Sequence, residues 1–149
     1  MCNGAYMPYE YVDDISIADV AFRACGQTLE ELFRAAADAT TGAMVENLTE
    51  VGGTVRKRVS LSDGSLDLLL LQLLQEIVFF KDAEQLLLRV GSVSFGKKGG
   101  RHSLDALLVG ESIDAAKHRL VVDVKAVTLH RLSLTKTAEG WEATVVLDV

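Results

Sequence analysis

The chain closes on Asp148-Val149, which sets the Asp148 side chain within one residue of the α-carboxylate of Val149. Two anionic oxygen groups that close repel unless a cation or several donors sit between them, and an all-oxygen set favours a hard ion such as Ca²⁺ or Mg²⁺ over zinc. A solvated terminus is the ordinary alternative, and a third acid from elsewhere would tip the balance. Asp114 and His118 stand four residues apart, which places both on one face if the segment is helical. That spacing serves metal binding or an Asp-oriented general base; the plainer reading is a turn hydrogen bond, because no further ligand lies at supporting spacing. His130 reads as a strand-end histidine, and Lys125 either as an exposed strand lysine or as a contact to a phosphate or an acidic partner residue. Cys25 has no activating neighbour and reads as a small buried residue; with Cys2 it forms neither a zinc ribbon nor a CxxC motif. The run Gly96-Lys97-Lys98-Gly99-Gly100 lacks the Ser or Thr and the spacing of a phosphate loop, so it reads as a solvated hairpin loop. GxSxG, HExxH and GxGxxG are absent as well.

The elements that must position these residues follow from hydrophobic period. Tyr9 to Ala24 reads as extended, with alternation at Val20, Phe22 and Ala24, and Gly26 closes it. Thr28-Leu29-Glu30-Glu31 fits a capping box, and Leu29, Leu32, Phe33 and Ala36 then recur at helical spacing, predicting a helix from Leu29 to about Ala43. Gly52-Gly53 marks a turn before a strand over Thr54 to Leu61, whose outer face carries Arg56 and Arg58. Asp63 and Ser65 are candidate caps for a second helix, Leu66 to about Phe80, apolar on more than one face. Strands are predicted over Leu86 to Phe95, Leu104 to Gly110, Val121 to His130, Leu132 to Thr137 and Trp141 to Leu147, with a loop at Gly96 to Arg101 and a hairpin turn at Ala138-Glu139-Gly140. This order fits an α+β domain with both helices on one face of a mainly antiparallel sheet.

At 149 residues the chain suits one domain over 1–149. Asp and Glu number 21 against 15 Lys and Arg, a net charge of −6, which argues against a stand-alone nucleic-acid binder lacking a dense basic patch. The cysteine usage and the lack of a visible signal peptide point to a reducing cytoplasm. Leu66 to Phe80 is interrupted by Asp67, Gln72, Gln75 and Glu76, short of the roughly 20 apolar residues that span a membrane.

Tyr9-Glu10, Ala18-Asp19-Val20, Arg23-Ala24, Gly26 and Thr28-Leu29-Glu30-Glu31 resemble the opening of the archease family. The likeness continues through Gly110-Glu111, Asp114, Lys117-His118, Val124-Lys125-Ala126-Val127-Thr128, His130, Trp141 and Leu147-Asp148-Val149. The resemblance implies an archease-like α+β fold and a non-enzymatic cofactor of the RtcB-type RNA-splicing ligase. Such a cofactor promotes guanylylation of the ligase with GTP and restores multiple turnover in tRNA splicing and RNA repair. It also implies a metal site, usually described as calcium, at Asp19, Asp148 and Val149, with Mg²⁺ or Mn²⁺ as alternatives. Asp114, His118, Lys125 and His130 are the candidate partner contacts. The chain departs from the family in carrying Ser16-Ile17 where His-Thr is usual, and Ala21 where Gly is usual. The histidine's contribution is then lost, or is taken over by Asp13, Asp14 or Ser16. Two other readings are a chaperone or interaction module that keeps the fold without ligase activation, and a hydrolase using Asp114 and His118.

Overall fold

The computed structural model describes residues 8–12 and 19–149. Asp13, Asp14, Ser16, Ile17 and Cys2, named above, lie outside the described residues. Strand β1 (Tyr9–Val12) pairs with β2 (Asp19–Gly26), and helix α1 (Leu29–Met44) follows. A 3₁₀ turn at Leu48–Glu50 leads to β3 (Val55–Asp63) and helix α2 (Leu66–Glu84). Four strands complete the chain: β4 (Leu86–Lys98), β5 (Arg101–Ser112), β6 (Ala126–Thr137) and β7 (Gly140–Asp148).

The α+β class and the antiparallel pairing are as expected, but the strands divide into two sheets instead of one. The first has the order β1-β2-β7-β6 and the second β3-β5-β4. Each helix touches both sheets: α1 packs on β2, β7 and β4, and α2 on β6, β3, β4 and β5. That is why α2 is apolar on more than one face, with Leu69, Leu70, Leu73, Leu74, Ile77 and Val78 all buried. The helices also bond to the backbone of the edge strands β4 and β6, which would otherwise template aggregation. From α1, the Thr41 hydroxyl donates to the Leu88 carbonyl at 2.6 Å, and the Arg34 guanidinium donates to those of Val90 and Gly91 at 2.6 and 3.3 Å. From α2, the Gln75 side-chain amide donates to the Val127 carbonyl at 3.1 Å and accepts the Val127 amide at 3.3 Å.

Local signals set the boundaries. The Thr28 hydroxyl caps α1 by accepting the Glu31 amide at 3.2 Å, while the Glu31 carboxylate accepts the Thr28 hydroxyl proton at 3.4 Å. Ser65 occupies the N-cap position of α2 without a side-chain cap bond, and Asp63 instead accepts the Ser65 amide at 3.3 Å. α2 runs past Phe80 because Lys81-Asp82-Ala83-Glu84 contains no breaker; it stops at Gln85, which is left-handed at φ 57°. The loop expected over Gly96 to Arg101 is a two-residue turn, Gly99-Gly100, with φ of 57° and 79°. Positive φ at both positions matches strand twist in a tight hairpin, so β4 and β5 extend to meet it. The strand expected at Val121 begins only at Ala126, because backbone and side-chain bonds to α1 and α2 hold residues 119–124 outside the sheet. The two strands expected over 121–137 form one strand with a bulge between Thr128 and Ser133, where Arg131 adopts φ 57°.

Candidate metal centre

Strands β2 and β7 lie side by side in a register that pairs Asp19 directly with Asp148. Directly opposed residues of an antiparallel pair point to the same face, with Cβ atoms about 4.5–5.5 Å apart, and like charges so placed are destabilising. Both residues are half-buried, and among the described residues no Lys, Arg or His side chain forms an ion pair with either. Val149 follows on the same strand end and packs against the core. Two carboxylates on one face, without a cationic partner among the described residues, fit a hard divalent cation held by oxygen donors. Among the described residues no group of three His, Cys, Asp or Glu side chains converges, so a third oxygen from the Val149 carboxylate would complete the set.

A relay of bonds from α2 fixes this edge. The Lys81 side chain is buried, and its Nζ donates to Asp123 Oδ1 at 2.5 Å, to Asp82 Oδ1 at 2.6 Å and to the Val124 carbonyl at 2.7 Å. Burial pushes the Lys81 pKa down, but the bonds to Asp123 and Asp82 outweigh it and leave the pKa raised, so the amine stays charged. The next residue, Lys125, donates its backbone amide to the Asp148 carbonyl at 2.8 Å. Its exposed side chain therefore starts beside the acidic edge, without an ion pair among the described residues.

Asp114 and His118 form a different structure. The Asp114 backbone amide donates to His118 Nδ1 at 2.9 Å, while its carboxylate accepts the Ala116 amide at 2.9 Å. The carboxylate partner of His118 is Glu111, whose Oε2 lies 2.9 Å from Nε2. His118 is 2% exposed with both ring nitrogens engaged, so it holds the turn together and does not face a partner. The turn hydrogen bond prevails over the general-base reading. Glu111 also accepts the Gly52 amide at 2.6 Å and Lys117 Nζ at 2.8 Å. The Lys117 ammonium, then the Gly52 amide and His118, hold its carboxyl down at about 2. Asp114 and His130 are exposed, His130 on the β6 bulge, and neither is brought to the Asp19–Asp148 edge by a recorded bond. Sequence reasoning missed the roles of Glu111 and Lys81. Glu111 stands 6 and 7 residues before Lys117 and His118, and Lys81 stands 42 before Asp123, spacings that match no single helical turn or strand period.

The model of the archease protein family (MTH1598/TM1083) matches residues 9–149. The chain belongs to the archease family. Protein archease of Methanosarcina barkeri is 32% identical over 142 residues, covering 95% of each chain. That of Pyrococcus furiosus is 32% identical over 133 residues, covering 89% of this chain and 93% of its own. The solution structure of Methanobacterium thermoautotrophicum protein 1598 superposes with a TM-score of 0.81 at 30% identity, covering 95% of this chain and 99% of that one. A Thermotoga maritima archease, described as a possible chaperone, gives 0.55 at 15% identity over 93% and 97%, a likeness of fold alone. These archeases are named as proteins and not by a reaction. Among the described residues of this archease-family chain, no helix is long and apolar enough to cross a membrane.

Proposed function

We propose that this archease-family protein is an accessory factor of an RtcB-type RNA ligase, promoting ligase guanylylation with GTP and multiple turnover. The observation that carries the reading is the register pairing of Asp19 with Asp148, which gives the family's metal positions a shared face in this chain. Asp19, Asp148 and the Val149 carboxylate would hold a divalent ion, Ca²⁺ in the first instance. A bound ion would supply positive charge to offset the opposed carboxylates and to meet anionic groups of the partner. This chain's own contribution is to present the acids together at one end of the paired inner strands β2 and β7, with Lys81 and Lys125 fixing the strand beside them. Binding one ligase conformation better than another shifts its population by that differential affinity.

The test is ligase guanylylation with GTP, using the ligase of the same organism, with and without this protein and its Asp19→Ala and Asp148→Ala variants. Stimulation by the wild type and its loss in both variants is expected; no stimulation by the wild type overturns the reading. A chaperone role is the second reading, motivated by the exposed Phe79, Leu120, Val121 and Leu129, which are 53–67% accessible. It predicts aggregation suppression that is indifferent to chelator.

A further inference from the structure

We propose that the open face of the second sheet docks an acidic segment of a protein partner, one that carries an apolar residue between its acids. The register places Arg56, Val109 and Arg89 in one row across β3, β5 and β4, and Arg58, Leu107 and Ser92 in the next. Directly paired residues share a face, and this face is opposite to the one that buries Val59, Ala106 and Leu108 under α2. Arg56 and Arg58 are exposed, while Val109 and Leu107, each beside one of them in its row, are half-buried.

At the β4 margin the face deepens into a groove of about 420 Å³ lined by Arg34, Arg89, Gly52, Gly53, Gly91 and Val109. Gly91 is the extra residue of a β-bulge between Val90 and Ser92, a device that recurs where a sheet is shaped for a site. A Cβ there would stand 2.3 Å from Val109 Cγ2, so only glycine leaves the backbone open beside the Val109 side chain. Arg34 is fixed over the bulge by its bonds to the Val90 and Gly91 carbonyls. Arg89 is fixed by paired bonds to Asp38 at 2.9 and 3.1 Å.

The charge balance defines the occupant. Four guanidinium groups, Arg34, Arg56, Arg58 and Arg89, share this face and groove with three carboxylates, Asp38, Asp105 and Glu111, the last paired with Lys117. Among the described residues Arg34, Arg56 and Arg58 have no carboxylate partner. This patch is positive on a chain whose net charge is −6. Arginine presents a planar fork that matches carboxylate geometry. Side chains on one face of an extended segment recur every 6.4–6.8 Å or so, the same spacing that separates Arg56 from Arg58 along β3. Two features favour a protein segment over RNA. Among the described residues the face offers no aromatic platform for base stacking, Phe95 being paired with Leu104 on the core side. The Leu107–Val109 floor rewards an apolar side chain that a phosphate backbone does not have. A second copy of this chain is disfavoured, because two such faces repel.

The proposal goes beyond the ligase reading, since the acidic edge lies on the other sheet. The peptide Asp-Glu-Leu-Asp-Val-Glu-Asp, titrated at low salt into nitrogen-15-labelled full-length protein, tests it. Amide shifts are expected at Arg56, Arg58, Gly91, Ser92, Leu107 and Val109, with affinity falling as salt rises. The double variant Arg56→Gln/Arg58→Gln, exposed and free of recorded hydrogen bonds, should weaken binding about tenfold, at up to about fivefold for each exposed ion pair. Replacing the peptide's Leu and Val by Ser should weaken it as well. No shifts up to about millimolar peptide, shifts elsewhere, or equal binding by the double variant overturns the proposal. Tighter binding of single-stranded oligouridylate to the same amides overturns it in favour of nucleic acid.

Discussion

Asp148→Asn separates a cation site from a merely acidic strand end by the sign of its effect. In chelator, the substitution removes one of two directly opposed carboxylates while keeping the side chain's volume. Like charges in that position cost on the order of 0.5 kcal/mol, so the variant should be more stable than the wild type by about that amount. At roughly 4 °C per kcal/mol for a chain near this length, the melting temperature should rise by about 2 °C. With Ca²⁺ at a hundred times its Kd, the wild type should gain about 2.7 kcal/mol, or about 10 °C, and the variant should gain little. The order of stabilities therefore inverts between the two conditions. Thermal melts of both proteins in chelator and across a Ca²⁺ titration read this directly. A variant less stable than the wild type in chelator, or one with an undiminished Ca²⁺ response, refutes the reasoning.

Lys81→Met keeps the apolar stem but removes the charge-assisted bond to the buried Val124 carbonyl, worth about 1.5–3 kcal/mol. The partners Asp123 and Asp82 are 70% and 57% exposed, so their pairs add at most about 1 kcal/mol together. A loss of about 2–3 kcal/mol in urea unfolding that persists in high salt is expected; a loss under about 0.5 kcal/mol contradicts the relay. Glu111 is held at about 2 against an ordinary value of 4.5, so its contribution to stability is complete above about pH 4.5 and is lost as pH falls through that range toward 2. Glu111→Gln should remove this dependence, so that the two proteins' denaturation midpoints converge on acidification; a gap that stays constant from pH 6 to 2 counts against it.

Both helices, the α+β class and most strands were legible because each rests on a local period or a local cap. Thr28 and the Leu29–Ala36 repeat placed α1, and the alternation around Val59 placed β3. Partition into two sheets was not legible, since strand order is a property of pairing between distant segments and the same alternating faces suit either arrangement. The turn bond between Asp114 and His118 was legible from their spacing, whereas the contact of Glu111 with the same ring was not, because it depends on where β5 ends. The acidic edge was legible only through family likeness. Nothing in the spacing of Asp19 and Asp148 announces a contact, which exists because β2 and β7 are neighbours.

That neighbour relation has a consequence for synthesis. Asp19 and Asp148 are 129 positions apart (148 − 19), and β2 is an inner strand of its sheet. At roughly 5–20 residues per second, β2 emerges some 6 to 26 s before β7 exists to pair with it. Through that interval it has only the short β1 as a partner, and one of its edges stays open. A nascent chain of this kind is exposed to strand-edge misassociation until β7 has been made. The acidic pair then forms in the same event that shields β2, so the candidate site and the end of that vulnerability arrive together.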